Sequence, residues 1–439
     1  MKNWIVICLL VAACVVIYFK ETGKTENPMN ITRIDDIIEI QGKSLKALSG
    51  TPISKLRLFV FKNGNFLRAP YQVDERDPKG EWVFTIGEEK SEDVDKGMLD
   101  DNDELAFMAK DLGGEAPTEQ KPKGANSCYK ITVSDPVDHS KGFAYLCAFD
   151  TPPPPSTADY VSYKVEGDWM WMIGETYKIG TGVEESYFDK VHLRTGPTAP
   201  WGTDIMDRYK TRGVGIPIPG KEVLPESNAK AKAVAWIDGP VRVIRKSKGW
   251  LKVAWKIKIH GEGSSQNIYY PTWFVVPLRL GVPQVPKPLL KNFKLLITLD
   301  FNHNFYGTKY YDEVNPQGVL VDGQMSDAER KLECGKHHEW YAVTGTKGTV
   351  MARYVLPPDM KKWVKALTYY MDDKNLPDPP EEEVGQSNFG FMMENFADLP
   401  AGEYRYSAYF YFPRQFKWGE QARILNILDK PLQVNLTSY

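Results

Sequence analysis

Acidic side chains are concentrated in one short stretch of the chain. Its densest part has five consecutive oxygen-bearing side chains: Asp100, Asp101, Asn102, Asp103 and Glu104. Hard cations such as calcium take roughly six to eight oxygen ligands, which carboxylates, amides and turn carbonyls supply. The stretch therefore predicts a calcium site, although it lacks the full EF-hand spacing. A solvated acidic loop and a pair of carboxylates for glycoside hydrolysis are the alternative interpretations.

Basic and apolar side chains alternate further along the chain. In a strand over Trp250–His260, the side chains of Lys256, Lys258 and His260 share one face. A cationic face attracts an anionic polysaccharide, an acidic partner or lipid headgroups. The alternative is the ordinary wet face of an antiparallel sheet, where lysine is common.

Three tryptophans lie close together in the sequence soon after residue 160, at Trp169, Trp171 and Trp201. Exposed aromatic rings stack on the C–H faces of sugars and are also frequent in protein interfaces. Core filling is the alternative. We predict Trp169, Trp171 and Trp201, together with Lys256 and Lys258, as ligand-binding residues.

Candidates for proton abstraction are few. His303 lies in a polar, aromatic turn, and Tyr270 and His260 are the other weak candidates for a base. No spacing joins these three residues into a known catalytic motif. The sequence also lacks a Gly-x-Ser-x-Gly elbow, a phosphate-binding loop, a dinucleotide fingerprint and a His-Glu-x-x-His motif, which disfavours the corresponding enzyme classes.

Two cysteines lie in strand-like runs on either side of a polar loop. In an antiparallel hairpin centred near Asp138, Cys128 comes opposite Cys147, within reach of a disulfide. Two buried free thiols are the alternative.

The segments that must position these residues are mostly strands. An Asn63-Gly64 turn predicts a hairpin, and Gln433–Leu436 reads as a closing strand. The patterns also predict helices over Met360–Tyr370 and Trp418–Leu428. Strands dominate overall, so we predict an all-β fold, mainly an antiparallel β-sandwich or supersandwich with few short helices.

Prolines and polarity predict the domain boundaries. Four consecutive prolines, Pro152–Pro155, cannot continue a helix or a central strand. We predict a β-sandwich region over 31–150, a proline-rich linker over 151–159 and a large β-sandwich domain over 160–439.

The N-terminus predicts export. Lys2 precedes an apolar run that ends at Lys20, which is the pattern of a signal sequence. Residues 1–20 are predicted to be an uncleaved signal anchor or a lipoprotein signal with a lipid-modified Cys14, and simple cleavage is a third possibility. Residues 21–30 are predicted to form a tether.

Several segments carry a resemblance. The motif Pro70–Asp77, the segment Asp103–Gly113, the motif Asp238–Arg242 and the terminal Lys430–Leu432 resemble those of exported bacterial proteins of unknown or carbohydrate-related function. Some of those proteins have a galactose-mutarotase-like or polysaccharide-lyase-like β-supersandwich. The resemblance implies a fold and a compartment, with a hint of glycan binding.

Composition narrows the classes of function. Lys and Arg number 55 and Asp and Glu 57, for a formal net charge of -2, so the chain lacks the basic excess of a general nucleic-acid binder. We predict a membrane-anchored, extracytoplasmic protein of the bacterial periplasm or cell surface that binds carbohydrate or a partner protein in an envelope complex. The alternatives are an enzyme, a lyase or hydrolase, acting on an acidic polysaccharide, and an accessory subunit of an exported redox complex with non-covalent haem.

Overall fold

The computed structural model of the protein describes residues 29–183, 188–218, 221–224, 229–254, 257–282, 292–332, 339–376, 385–395, 398–414 and 416–439. The predicted signal segment with Cys14 and nearly all of the predicted tether lie outside these residues, as does Lys256. The side chains of Lys258 and His260 also lie outside the described part. In the part of the chain that is described, no helix is long and apolar enough to cross a membrane.

Strands are the dominant regular element of the described chain. The first nine are β1 (Ile37–Gln41), β2 (Leu56–Lys62), β3 (Asn65–Arg68), β4 (Gln72–Asp74), β5 (Ile86–Gly87), β6 (Glu104–Met108), β7 (Ser127–Ser134), β8 (Lys141–Ala148) and β9 (Ser162–Glu166). The next nine are β10 (Trp169–Ile173), β11 (Tyr177–Gly182), β12 (Phe188–Leu193), β13 (Met206–Ile218), β14 (Lys221–Leu224), β15 (Ala229–Asp238), β16 (Val243–Ala254), β17 (Ile257–Tyr269) and β18 (Trp273–Val282). The last nine are β19 (Lys294–Phe301), β20 (Thr308–Asp312), β21 (Val319–Val321), β22 (Trp340–Gly345), β23 (Gly348–Val355), β24 (Lys365–Met371), β25 (Ser387–Glu394), β26 (Gly402–Tyr411) and β27 (Gln433–Ser438).

Helices are short. The α-helices of the described residues span Asp327–Arg330, Pro358–Lys361 and Gln421–Asp429, and 3-10 turns span Gly42–Ser44, Lys46–Leu48, Ile53–Lys55, Ala109–Asp111 and His303–Phe305. The strands pair antiparallel. The predicted all-β architecture with few short helices is therefore confirmed.

The chain divides into two compact units, and each is built from separate segments. The first contains residues up to Tyr71, Gly97–Ser156 and Lys430–Tyr439, and the second contains Gln72–Lys96 and Thr157–Asp429. The main passage from the first to the second thus falls just after the four prolines. The chain also enters the second unit at Gln72 and leaves it at Gly97, and it returns to the first unit a last time at Lys430.

The first unit contains a sheet with the strand order β27-β7-β8-β2-β3 and the antiparallel pair of β1 and β6. Its strands alternate apolar residues toward an aromatic cluster that includes Phe59, Phe61, Phe143 and Tyr145. The predicted hairpin at Asn63-Gly64 and the predicted closing strand at the C-terminus are both present.

The disulfide in this unit is the one predicted. Cys128 on β7 lies directly opposite Cys147 on β8, with their Cα atoms 4.1 Å apart, and the two sulfurs are bonded. Both cysteines are buried in the aromatic cluster. The bond therefore links two neighbouring strands of the sheet within its core.

The second unit contains three sheets. Their strand orders are β12-β11-β10-β9, β14-β13-β19-β25-β24 and, for the long sheet, β21-β20-β22-β23-β26-β18-β17-β16-β15-β5. One hydrophobic core includes residues of all three, among them Tyr177, Phe274 and Phe389. The sheets thus pack through their apolar faces as layers of a β-sandwich.

Two predicted elements of this unit are wrong. The predicted helix Met360–Tyr370 is a helix only at Pro358–Lys361, and β24 follows it. Residues 365–371 pair with β25, and Ala366, Thr368 and Tyr370 are buried with the period of two of a strand. The predicted single strand Trp250–His260 is split, since Ala254 of β16 pairs with Ile257 of β17. The two strands pair antiparallel. The predicted helix at Trp418–Leu428 is present at Gln421–Asp429.

Two of the segments that carry the resemblance meet in this unit. The Gln72 side chain accepts hydrogen bonds from the backbone N–H groups of Val241 and Arg242, at 3.3 and 3.2 Å. The Arg242 guanidinium donates to Asp74 at 2.7–2.8 Å, with both side chains almost fully buried. Gln72 and Asp74 of the motif at 70–77 thus hold the segment Gln72–Lys96 in place within its unit through these hydrogen bonds and this ion pair.

Candidate functional site

The outer face of the four-stranded sheet holds two of the predicted tryptophans. Strands β9 to β12 alternate residues with period two, and Met170, Met172 and Ile179 point into the core. Trp169 and Trp171 therefore lie on the opposite face of β10. The same face carries basic side chains of β9, β11 and β12, and Arg194 and Trp201 follow β12 in the chain. We call the tryptophans and basic residues together the aromatic–cationic face: Lys164, Trp169, Trp171, Lys178, Lys190, His192, Arg194 and Trp201.

Trp171 lies across β11 because a glycine makes room for it. A Cβ atom at Gly180 would come 2.8 Å from Cζ3 of Trp171 and 3.1 Å from Cβ of Lys190. The ring is buried, and the ammonium nitrogen of Lys178 lies 3.9 Å from its centroid. Trp171 thus supports a cation on one side of its ring.

The half-buried Trp169 has a similar neighbour. The ammonium nitrogen of Lys190 lies 4.5 Å from the ring centroid of Trp169 and 3.7 Å from a carboxylate oxygen of Asp204. His192 places its ring 5.8 Å from that of Trp171, and its Nδ1 lies 3.0 Å from the carbonyl oxygen of Gly202. A carbonyl only accepts, so Nδ1 carries the hydrogen and Nε2 is left for another partner.

Trp201 packs against the end of β12. The guanidinium carbon of Arg194 lies 4.1 Å from the Trp201 ring centroid. Arg194 donates to the carbonyl oxygens of Glu175, at 2.8 Å, and of Gly174, at 3.3 Å. Partial burial lowers the pKa of Arg194, and the nearby Glu175 carboxylate opposes this change. Each of the three predicted tryptophans therefore has a basic side chain against its ring.

The sequence did not predict those basic residues. The signal was present, because in Tyr177-Lys178-Ile179 and Lys190-Val191 a lysine alternates with residues of the core. The contact of each lysine with a tryptophan could not be read from the chain, since it depends on the pairing register and on Gly180.

Basic residues just before the predicted cationic strand take part in contacts within the protein. Arg242 and Arg245 are fully buried. Lys246 and Lys248 both pair with Glu89, at 3.2 and 2.5 Å. The hydrogen bond from Lys248 is the largest cause of the lowered pKa of the Glu89 carboxyl. Ligand binding by Lys256 and Lys258 stays a prediction, because their side chains lie outside the described part of the chain.

The weak catalytic candidates lie in different settings. Tyr270 is buried, with its ring stacked on Trp273 at a centroid distance of 4.1 Å. His303 is exposed in the 3-10 turn His303–Phe305. The side chain of His260 lies outside the described residues. The methionines near the tryptophans, Met170 and Met172, pack in the hydrophobic core.

The acidic loop is ordered by its own carboxylates. A carboxylate oxygen of Asp100 accepts from the backbone N–H of Asn102 at 2.9 Å and of Asp103 at 3.3 Å. The buried Asp103 accepts from the N–H of Asp100 at 3.0 Å. These bonds explain why aspartate suits positions 100 and 103 of this turn. Calcium binding by Asp100, Asp101, Asn102, Asp103 and Glu104 stays a prediction.

Comparison with known proteins places the chain in no family. No protein-family model matches it, and no curated protein matches its sequence. The function must therefore be argued from the site.

Proposed function

We propose that this protein is an extracytoplasmic β-sandwich protein that binds carbohydrate through the aromatic–cationic face. The observation that carries the proposal is the position of Trp169 and Trp171 on the face of β10 that points away from the core, among basic side chains of the neighbouring strands. Aromatic side chains with nearby polar groups provide the apolar and hydrogen-bonding contacts that a sugar ring needs.

The disulfide supports a location outside the cytoplasm. Cys128 and Cys147 are bonded within the core of the first unit. Structural disulfides form and persist in oxidising compartments and are rare in the cytosol of most organisms. This agrees with the export that the N-terminal sequence predicts.

A glycan array with the full-length protein tests this function. We expect binding to one class of glycan that weakens at least tenfold in the variant Trp169→Ala. Trp363→Ala is the matched control, because Trp363 is 42% exposed and belongs to no part of the aromatic–cationic face. Loss of binding in both variants, or in neither, would contradict the assignment of this face. Absence of glycan binding, with a stoichiometric protein partner purified instead, would favour a subunit of an envelope complex.

A further inference from the structure

We propose that the ligand of the aromatic–cationic face is an acidic polysaccharide, a chain that carries uronate or sulfate groups. This inference rests on the proposed function and adds the chemical class of the ligand. It is carried by the way in which two tryptophan rings hold two lysine ammonium groups.

The rings of Trp171 and Trp169 act as seats for cations. Lys178 Nζ lies 3.9 Å from the Trp171 ring centroid and Lys190 Nζ lies 4.5 Å from that of Trp169. An ammonium above a tryptophan ring is attracted by the electrons of the ring face. A lysine that is already held in this way loses less side-chain freedom when it binds an anion.

The same contacts limit what the rings can do directly. Trp171 is buried beneath Lys178 and across Gly180, so little of its ring is left for a sugar. Trp169 and Trp201 are half-buried and keep some exposed ring surface. Neutral stacking is therefore a smaller part of this face than the sequence predicts, and fixed positive charge is a larger part.

Charges on the face are segregated. Its basic side chains are Lys164, Lys178, Lys190 and Arg194, and the nearby carboxylates are Glu166, Asp168, Asp204 and Glu175, of which Glu175 also pairs with Arg414. Glu166 and Asp168 lie at the turn between β9 and β10, beside Trp169, whereas Lys164 pairs across from Trp171. Positive charge is thus concentrated in two cross-strand rows of the sheet. One row contains Trp171 with Lys164 and Lys190, and the next contains Lys178. The chain as a whole has a formal net charge of -2. This segregation fits a ligand with negative charge.

The occupant that fits best is a polysaccharide. Four neighbouring strands span about 14 Å from β9 to β12, since strands lie about 4.8 Å apart. Such a face suits a short stretch of an extended polymer. The half-buried rings of Trp169 and Trp201 offer contacts for the C–H groups of sugars, which phosphate alone would not use.

The probe is a pair of oligosaccharides with one backbone. Isothermal titration of the full-length protein would compare oligogalacturonate with its methyl ester, which has the same rings without the charge. We expect the acid to bind at least tenfold more tightly than the ester. The variant with both Lys178→Met and Lys190→Met is expected to lose at least tenfold in affinity for the acid and to keep its affinity for the ester.

Lys309→Met is the matched control, because Lys309 is an exposed lysine on β20 of the long sheet. Methionine keeps most of the apolar stem of lysine, and circular dichroism would verify that each variant is folded. Equal affinity for acid and ester, with loss of both in Trp169→Ala, would leave the proposed function standing and overturn this inference. Acid binding that the double variant does not weaken would also overturn it.

Two further outcomes separate the proposals. If neither oligosaccharide binds and a glycan array is also negative, the proposed function falls together with this inference. If anionic phosphatidylglycerol vesicles bind in place of the oligosaccharide, and the double variant abolishes that binding, the face recognises lipid headgroups and the polysaccharide is overturned.

Discussion

At the scale of single residues, one contact with a large effect on stability is the buried ion pair of Asp74 and Arg242. Both side chains are at most 1% exposed, and the nitrogen and oxygen atoms lie 2.7 Å apart. Arg242 also lies against Trp82, with its guanidinium carbon 4.9 Å from the ring centroid, while Arg76 lies 3.3 Å away from the same centroid. The pair therefore fixes the segment Gln72–Lys96.

Removing one partner of this pair should be costly. We expect Asp74→Ala to lower the free energy of unfolding by about 3–5 kcal/mol, because it leaves the Arg242 charge buried without its carboxylate. Urea unfolding followed by tryptophan fluorescence would measure it. Glu92→Ala breaks the exposed pair with Lys96 in the same segment and serves as the control, with an unchanged midpoint expected. Similar midpoints for both variants would contradict a stabilising role of the Asp74–Arg242 ion pair.

A substitution of Gly180 tests the position of the Trp171 ring. We expect Gly180→Ala to lower the free energy of unfolding by about 1–3 kcal/mol and to shift the tryptophan emission, because the added methyl group meets Trp171 at 2.8 Å. Gly196→Ala is the control, since nothing lies within 4 Å of a Cβ at that position. An alanine at 180 that leaves stability and emission unchanged would contradict the described ring position.

Residue types were easier to predict than residue contacts. Trp169, Trp171 and Trp201 do gather with basic residues, but the lysines involved are Lys178 and Lys190. Periodicity of two tells which residues share a face of one strand. It does not tell which strands are neighbours, and the lysine–tryptophan contacts depend on the pairing of β10, β11 and β12.

At the scale of elements, the disulfide joins two neighbouring strands of the first unit. Its cysteines are 19 residues apart, and closing a loop of that size restricts the unfolded chain. We expect the variant with both Cys128→Ala and Cys147→Ala to lose about 2–4 kcal/mol of stability.

The measurement is urea unfolding with and without dithiothreitol. The reductant should lower the midpoint of the wild-type protein and leave that of the double variant unchanged, which is its internal control. A wild-type midpoint that is insensitive to complete reduction would contradict a stabilising role of the bond.

The end of β24 carries a titrating contact. Asp372 is buried and accepts from the backbone N–H groups of Gly323, at 2.9 Å, and Asp322, at 2.8 Å, and from the Ser387 hydroxyl. Burial is the main cause that raises the pKa of Asp372 from 3.8 to about 6. The folded protein thus holds this proton more tightly than the unfolded chain does.

The consequence is a dependence of stability on pH. The protonated Asp372 contributes to the free energy of unfolding. This contribution is fully present below about pH 4 and is lost as the pH rises through about 6, and its size is at most about 3 kcal/mol. The difference in unfolding free energy between wild type and Asp372→Asn, measured from pH 4 to 7, should change accordingly. Asp327→Asn, at an exposed aspartate, is the control. A difference that is constant across this range would contradict the assignment.

Elements with local signals were predicted, and those set by tertiary contacts were not. The Asn63-Gly64 hairpin and the Cys128–Cys147 pairing depend on nearby residues and a short loop. Lys365–Met371 has residues that suit either a helix or a strand, and its pairing with β25 decides for the strand. The end of β16 at Ala254 is likewise not followed by a glycine or proline that would mark it.

At the scale of the whole molecule, charge is distributed unevenly on a chain that is nearly neutral in sum. Lysines of the β15–β16 hairpin are matched by Glu88 and Glu89, whereas the aromatic–cationic face keeps basic side chains next to aromatic rings. A local positive field on such a chain selects among ligands and speeds the encounter with anionic ones. The proposed function is thus a property of one sheet face and not of the net charge.

The central claim is that strands β9 to β12 carry the binding surface. Hydrogen–deuterium exchange of the full-length protein with and without oligogalacturonate would test it most directly, because a bound ligand slows local opening where it binds. We predict slower exchange in Ser162–Glu166, Trp169–Ile173, Tyr177–Gly182 and Phe188–Leu193. Slower exchange confined to other strands, with these four unchanged at saturating ligand, would contradict the account.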